Sequence, residues 1–136
     1  MTRALGVLLL LVLAACDEDK AQAKGSGPPP NDDALIAAWK KAGLEVSPFT
    51  DADAAPYSAQ SCRAGTVGGV DVVVCSYDTG EDASAAQDPA LALLEKSGAT
   101  TASALARGKK LLVVTDKRKA DPTGRSINAI TGAFRK

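Results

Sequence analysis

Residues 61–77 read SCRAGTVGGVDVVVCSY, and this stretch decides the fold. Its two halves favour strands, and Gly68-Gly69 between them suits a type I′ turn, in which both central residues need positive φ. Pairing outward from this turn places Cys62 opposite Cys75, in a non-hydrogen-bonded pair whose Cα atoms come within disulfide reach. A four-residue loop would change that pair type but would still leave the cysteines opposite each other. The stretch therefore predicts a β-hairpin closed by a disulfide.

The period-2 alternation of a strand divides the hairpin side chains between two faces. One face, which we expect to be the core side, carries four valines: Val67, Val70, Val72 and Val74. The other carries Cys62, Ala64, Val73, Cys75 and Tyr77.

Helix signals flank the hairpin on both sides. Before it, Asn31 is a suitable N-cap and Gly43 a suitable C-cap for a helix whose apolar stripe includes Trp39, which we expect in the core. A short strand is predicted at 44–46, ended by Pro48. After the hairpin, residues 79–97 favour one kinked helix or two short helices, since Asp-Pro lies in the middle of the segment.

The last third of the chain predicts a second hairpin and a final helix. The hairpin spans 100–115 and turns at 107–109, and the helix begins with Asp121-Pro122 as N-cap and first residue. The element order α–β–ββ–α–ββ–α indicates an α+β fold. We expect a small antiparallel sheet built from two hairpins, with the helices packed on one face, in a single domain over residues 31–136.

The first fifteen residues have the pattern of an export signal. Arg3 provides a basic start, and an apolar run of 11 residues follows from Leu5 to Ala15. A bilayer-spanning helix needs about 20 such residues, so the run favours a signal peptide over a membrane anchor.

Leu13-Ala14-Ala15-Cys16 resembles the lipobox of bacterial lipoproteins. The resemblance implies cleavage before Cys16, a diacylglyceryl thioether on its sulfur, and attachment to a cell membrane on its periplasmic or outer-surface side. Asp17 resembles an inner-membrane retention signal of enteric bacteria, but the choice between inner and outer membrane stays open. Residues 16–30 are charged and then Gly-, Ser- and Pro-rich, which predicts a flexible tether after the lipidated cysteine.

The junction VVVCSYDTGEDASAA at 72–86 also resembles a family of small lipoproteins from high-GC bacteria. These proteins share a Tyr-Asp-Ser junction, a following hairpin and a last helix beginning Asp-Pro. The resemblance covers about residues 34–134. The proteins are largely of unknown function, and the paired cysteines are not part of their pattern.

The residue types of the chain limit its chemistry. There is no histidine, which excludes a Ser-His-Asp triad and a histidine-based zinc site. For Cys62 and Cys75 a structural disulfide is favoured over a redox pair or a zinc site, because export places them in an oxidising compartment. Aspartate clusters at 17–19, 51–53 and 78–82 lack the ligand order of a calcium loop. We expect no catalytic residue, no metal and no cofactor.

The charges balance overall at 16 basic and 16 acidic residues but are unevenly distributed. Residues 16–95 hold 14 acidic and 5 basic side chains, and residues 107–136 hold 9 basic and 2 acidic ones. No overall field indicates nucleic acid as a partner. The basic end of the chain favours solubilising charge on turns and a helix tail. The alternative for the run Lys117, Arg118 and Lys119 is a contact with anionic headgroups or an acidic partner.

Together these features favour a membrane-anchored lipoprotein of the cell envelope that is a non-enzymatic interaction module. Its ligand would be an envelope protein or a cell-wall component. The alternative is a lipoprotein inhibitor of a periplasmic hydrolase, which would present the Cys62–Cys75 hairpin as a protruding rigid loop. An enzyme that uses only Asp, Lys or Ser is a third, more distant hypothesis.

Overall fold

The computed structural model describes residues 32–99 and 101–136. The predicted signal peptide, Cys16, the predicted tether and the predicted cap at Asn31 lie outside the described residues. Three helices, five strands and a short 3₁₀ turn follow one another in this part of the chain. They are α1 (Asp32–Lys41), β1 (Thr50–Ala52), the 3₁₀ turn (Ala55–Tyr57), β2 (Ser61–Val67), β3 (Val70–Ser76), α2 (Gly80–Lys96), β4 (Ala102–Arg107), β5 (Lys110–Thr115) and α3 (Arg125–Arg135).

The strands form one five-stranded antiparallel sheet in the order β1-β2-β3-β5-β4. Both predicted hairpins are present. In the first, Gly68 and Gly69 have φ of 58° and 81°, and Cys62 pairs with Cys75. In the second, Arg107 pairs with Lys110 across a two-residue turn. The predicted α+β class and antiparallel sheet are confirmed.

The helices differ from the expectation in their placement, because they cover both faces of the sheet. α1 and α3 pack on the face that carries the four hairpin valines, whereas α2 packs on the face that carries Cys62 and Cys75. The reason lies in β5, where residues 111–114 are all apolar and point alternately to the two faces. A strand with such a continuous apolar run is buried on both sides. The domain therefore has three layers.

Trp39 anchors the layer of α1 and α3. Its side chain is fully buried, as expected, and its Nε1–H donates to the carbonyl oxygen of Ile130 at 3.1 Å. Its ring stacks on Phe49, with centroids 5.9 Å apart. A Cβ at Gly65 would lie 2.6 Å from the Phe49 ring, so only glycine allows the ring to lie on β2. These contacts fix the segment between α1 and β1 against the sheet.

Three local predictions required correction or refinement. Residues 44–46 contribute only an isolated bridge at Val46, and the first strand forms instead at Thr50–Ala52 beside β2. The segment 79–97 holds one helix, Gly80–Lys96, which continues through Pro89, and Thr79 Oγ1 caps it by accepting from the Asp82 N–H at 3.1 Å. The last helix begins at Arg125 and not at Asp121.

The late start of α3 follows from two buried aspartates. Asp116 accepts hydrogen bonds from the N–H groups of Ala120 and Asp121 at 2.8 and 2.9 Å. Asp121 accepts from the N–H of Ile127 at 2.9 Å. These carboxylates stabilise a turn before Gly124, so Asp121 caps the helix from outside its first turn and not as a direct N-cap.

Candidate functional site: a groove beside helix α2

The candidate site lies on the face of the sheet that α2 covers incompletely. α2 packs mainly on β4 and β5. The loop of residues 53–60 lies over the neighbouring part of the same face, where its side chains pack against the disulfide. The space between the helix and this loop is open to solvent. We call it the α2 groove.

The loop wall of the groove is fixed by hydrogen bonds. Tyr77 Oη donates to the carbonyl oxygen of Tyr57 at 2.7 Å, and the Gln60 N–H donates to the carbonyl oxygen of Ser76 at 3.0 Å. The Gln60 amide also donates to the carboxylate of Asp78. The groove is therefore largely preformed, as small-molecule sites usually are.

The disulfide supports this wall from below. Cys62 and Cys75 form a disulfide bond, with their Cα atoms 4.1 Å apart. Both are buried, and Tyr57, Ala59 and Tyr77 pack in the same apolar cluster. The predicted pairing is thus present in the structure. Because the disulfide packs against the loop that forms one wall of the groove, it also helps to hold the shape of the groove.

Two cavities make up the groove, and Tyr57 lines both. One, of about 250 Å³, lies beside the first half of α2. Its polar lining includes the phenols of Tyr57 and Tyr77 and the carboxylate of Asp82. The other, of about 480 Å³, lies beside the last turns of α2. We call these the phenol end and the basic end.

The two tyrosine side chains at the phenol end are buried to different extents: Tyr77 is buried and Tyr57 is half-buried. Burial raises the pKa of Tyr57 above 10. Burial raises the pKa of Tyr77 as well, and the neighbouring phenol of Tyr57 adds to that effect. Both groups are therefore neutral hydrogen-bonding groups at physiological pH. With Asp82 they could bind hydroxyl or amide groups of a ligand.

The basic end combines an apolar surface with two ammonium groups. The cavity is lined by Val73, Leu94 and Val113. Leu93 also lines it, and 40% of its surface is exposed, which among the described residues is unusual for a large apolar residue. Lys96 and Lys117 are exposed at the rim.

The ammonium charges of this rim are not offset by its one carboxylate. Asp71 also lines the basic end, but its carboxylate pairs with Arg118 at 3.1 Å. Within residues 32–99 and 101–136, neither Lys96 nor Lys117 has an ion-pair partner. The basic end therefore carries a net positive charge next to exposed apolar surface.

The predicted basic run does not form one patch. Lys117 lines the groove, whereas Arg118 donates to Asp71 and to the carbonyl oxygen of Gly69. Lys119, with φ of 55°, lines a separate hollow beside Asp116 and Asp121. Two further basic residues of this region also have structural contacts. Arg107 donates to the carbonyl oxygens of Phe134 and Lys136 at the end of α3, and Lys110 binds Asp32.

Sequence reasoning did not find Lys96 and Leu93 as site residues. The one signal in the sequence was their spacing: residues three apart in a helix are neighbours on its surface. Nothing local indicated that Lys117, twenty-one residues after Lys96, lines the same cavity.

The tip of the first hairpin is not a free loop. A Cβ at Gly68 would lie 2.9 Å from Ser126 Oγ and 3.2 Å from Leu44 Cδ2, and one at Gly69 would lie 3.1 Å from Ala120. The turn is therefore packed against α3 and the segments around it. It does not have the protruding form that the inhibitor hypothesis requires.

In the part of the chain that the structure describes, no group of three or more His, Cys, Asp or Glu side chains could hold a metal ion. No helix of these residues has the length and hydropathy needed to cross a membrane. No family model, curated protein or solved structure matches this chain.

Proposed function

We propose that this chain is a lipoprotein of the cell envelope, held on a membrane through a lipid on Cys16. Its domain would be a non-enzymatic binding module for an envelope protein or a cell-wall component. The observation that carries the proposal is Leu13-Ala14-Ala15-Cys16, which stands directly at the end of an 11-residue apolar run. This motif supports both export and acylation.

The proposed anchor would hold the protein stably on the membrane, as an envelope binding module requires. One acyl chain binds membranes weakly, whereas two or more hold a protein stably. The 14 residues of the tether, 17–30, would span roughly 20 Å on average and about 45 Å when stretched. The domain would thus stay close to the membrane and still reach ligands above the headgroups.

The α2 groove supports the binding part of the proposal. It is preformed, and its lining offers apolar surface, phenol hydroxyls, two carboxylates and two ammonium groups. The chain has no histidine to serve as a general base there. The disulfide beneath the groove also suits an exported protein, since disulfides persist in oxidising compartments.

Metabolic labelling with palmitate tests the proposal in the producing cell. The wild-type chain should incorporate label and sediment with membranes, and Cys16→Ser should incorporate no label and leave a larger, uncleaved or released product. The matched control is the double variant Cys62→Ala/Cys75→Ala, which removes two cysteines but should keep the label. An unlabelled wild type, or equal label in Cys16→Ser, would refute the lipid anchor.

A further inference from the structure

The basic end of the α2 groove has the size and lining of a small-ligand site. Its volume of about 480 Å³ lies within the usual range of roughly 300–1,000 Å³ for such sites. Its base is formed by Val73 and by Val113, which is only 2% exposed. Leu93 and Leu94 provide an apolar wall. A hydrocarbon group placed there would leave water and contact apolar atoms on two sides.

The rim of the same cavity selects for negative charge. Lys96 and Lys117 are both exposed, so their ammonium groups stay hydrated and mobile until an anion approaches. The carboxylate of Asp71 is held by Arg118 and so competes less for these lysines. An anionic head at the rim and an apolar tail on the base match this arrangement.

The backbone around the cavity distinguishes an acyl chain from an extended peptide. β3 and β5, which carry Val73 and Val113, are interior strands that pair on both sides. Their backbone groups are thus occupied and cannot satisfy the N–H and C=O groups of a bound peptide. A hydrocarbon chain has no such groups to satisfy. The base also lies inside a cavity, which a single hydrocarbon chain can enter and a flat bilayer surface cannot.

We propose that the basic end of the groove binds an anionic lipid with a single hydrocarbon chain. The chain lies on Val73 and Val113 beside Leu93, and the anionic head lies between Lys96 and Lys117. This inference rests on the proposed function, because membrane attachment provides the access to lipids. It names the chemistry of the partner for that same groove.

Photocrosslinking with a long-chain fatty acid tests the site in the full protein. The lipoprotein is reconstituted into nanodiscs of zwitterionic phosphatidylcholine, and the fatty acid carries a diazirine at the end of its chain. Crosslinks mapped by mass spectrometry should fall on the peptides that contain Val73 and Leu93. A long-chain alcohol with the same diazirine should crosslink there more weakly, because it lacks the anionic head.

Charge variants separate specific binding from general attraction. Lys96→Gln/Lys117→Gln should lower groove crosslinking by about fivefold or more, since each lysine near an anion contributes a factor of that order. The matched control Lys40→Gln/Lys109→Gln makes the same charge change at exposed lysines outside the cavity lining and should leave the yield unchanged. Leu93→Ser should also lower the yield. Because the Leu93 side chain is partly exposed, this substitution should leave the fold intact, which thermal unfolding can check.

Several results would overturn the inference. They are crosslinks spread over the surface, equal losses in the two double variants, or stronger groove labelling by a diazirine phospholipid of the disc than by the fatty acid. Displacement of the fatty acid by an acidic peptide alone, and not by unlabelled fatty acid, would also overturn it.

The intact mass of the same sample reports the lipid on Cys16. If the protein carries the lipid but its groove is not labelled, only this inference is contradicted. If the groove is labelled but Cys16 carries no lipid, only the proposed function is contradicted.

Discussion

Removal of the disulfide by Cys62→Ala/Cys75→Ala should strongly destabilise the domain. The two cysteines are 13 residues apart in the sequence and face each other between the neighbouring strands β2 and β3. Both side chains are buried under the loop wall of the α2 groove. Their replacement therefore releases a cross-link and also removes two sulfur atoms from an apolar cluster.

The loop-closure entropy sets the size of the effect. For a loop of this length, releasing the cross-link stabilises the unfolded chain by about 3 kcal/mol. A domain of this size has a total stability of about 5–15 kcal/mol, so the loss is a large share of it. At about 4–8 °C per kcal/mol, the unfolding midpoint should fall by roughly 12–24 °C.

Urea and thermal unfolding measure this loss directly. The non-reduced wild type should be the most stable form, and the wild type in a reducing agent should unfold close to the double variant. Membrane attachment should be unchanged in the variant, because the proposed lipid anchor is on Cys16. The reasoning is refuted if labelling finds two free thiols in the non-reduced protein, or if the double variant unfolds within 0.5 kcal/mol of the wild type, a threshold set by ordinary surface substitutions of about that size.

Three further predictions concern packing and titration. Asp121→Ala should cost about 1–3 kcal/mol in urea unfolding, because it leaves a buried N–H of α3 without its acceptor, while Asp121→Asn should cost less. Gly65→Ala should cost about 1–3 kcal/mol, since its methyl group would displace the ring of Phe49; an unchanged midpoint would contradict this close approach. Tyr57 and Tyr77 should ionise above pH 10 in an absorbance titration of the folded protein. Since their pKa is higher in the folded than in the unfolded chain, the contribution of these two phenols to stability should be constant below about pH 10 and fall as the pH rises further.

The parts of the fold that were predictable from the sequence depend on local geometry. The register of Cys62 and Cys75 follows from the position of Gly68-Gly69 alone, because an antiparallel ladder has a fixed pairing rule. The turn of the second hairpin was found for the same reason. By contrast, Thr50-Asp51-Ala52 has no apolar strand pattern. It forms a strand because its backbone pairs with the outer edge of β2.

The start of α3 and the candidate site depend on contacts that are distant in sequence. Asp121-Pro122 has the local form of a helix start, yet its carboxylate is used six residues later, at Ile127. Arg118 belongs to a basic run in the sequence but pairs with Asp71, 47 positions away. The groove exists only because α2 crosses one half of a sheet face, and no local pattern encodes that placement.

The most direct test of the lipoprotein proposal is the mass of the N-terminal peptide of the mature protein, purified from membranes of the producing cell. We expect a peptide that begins at Cys16 and carries the mass of a diacylglyceryl thioether, with or without a further acyl group on its amino nitrogen. A peptide that begins at Met1, or one that contains Cys16 without added lipid, would contradict the proposal.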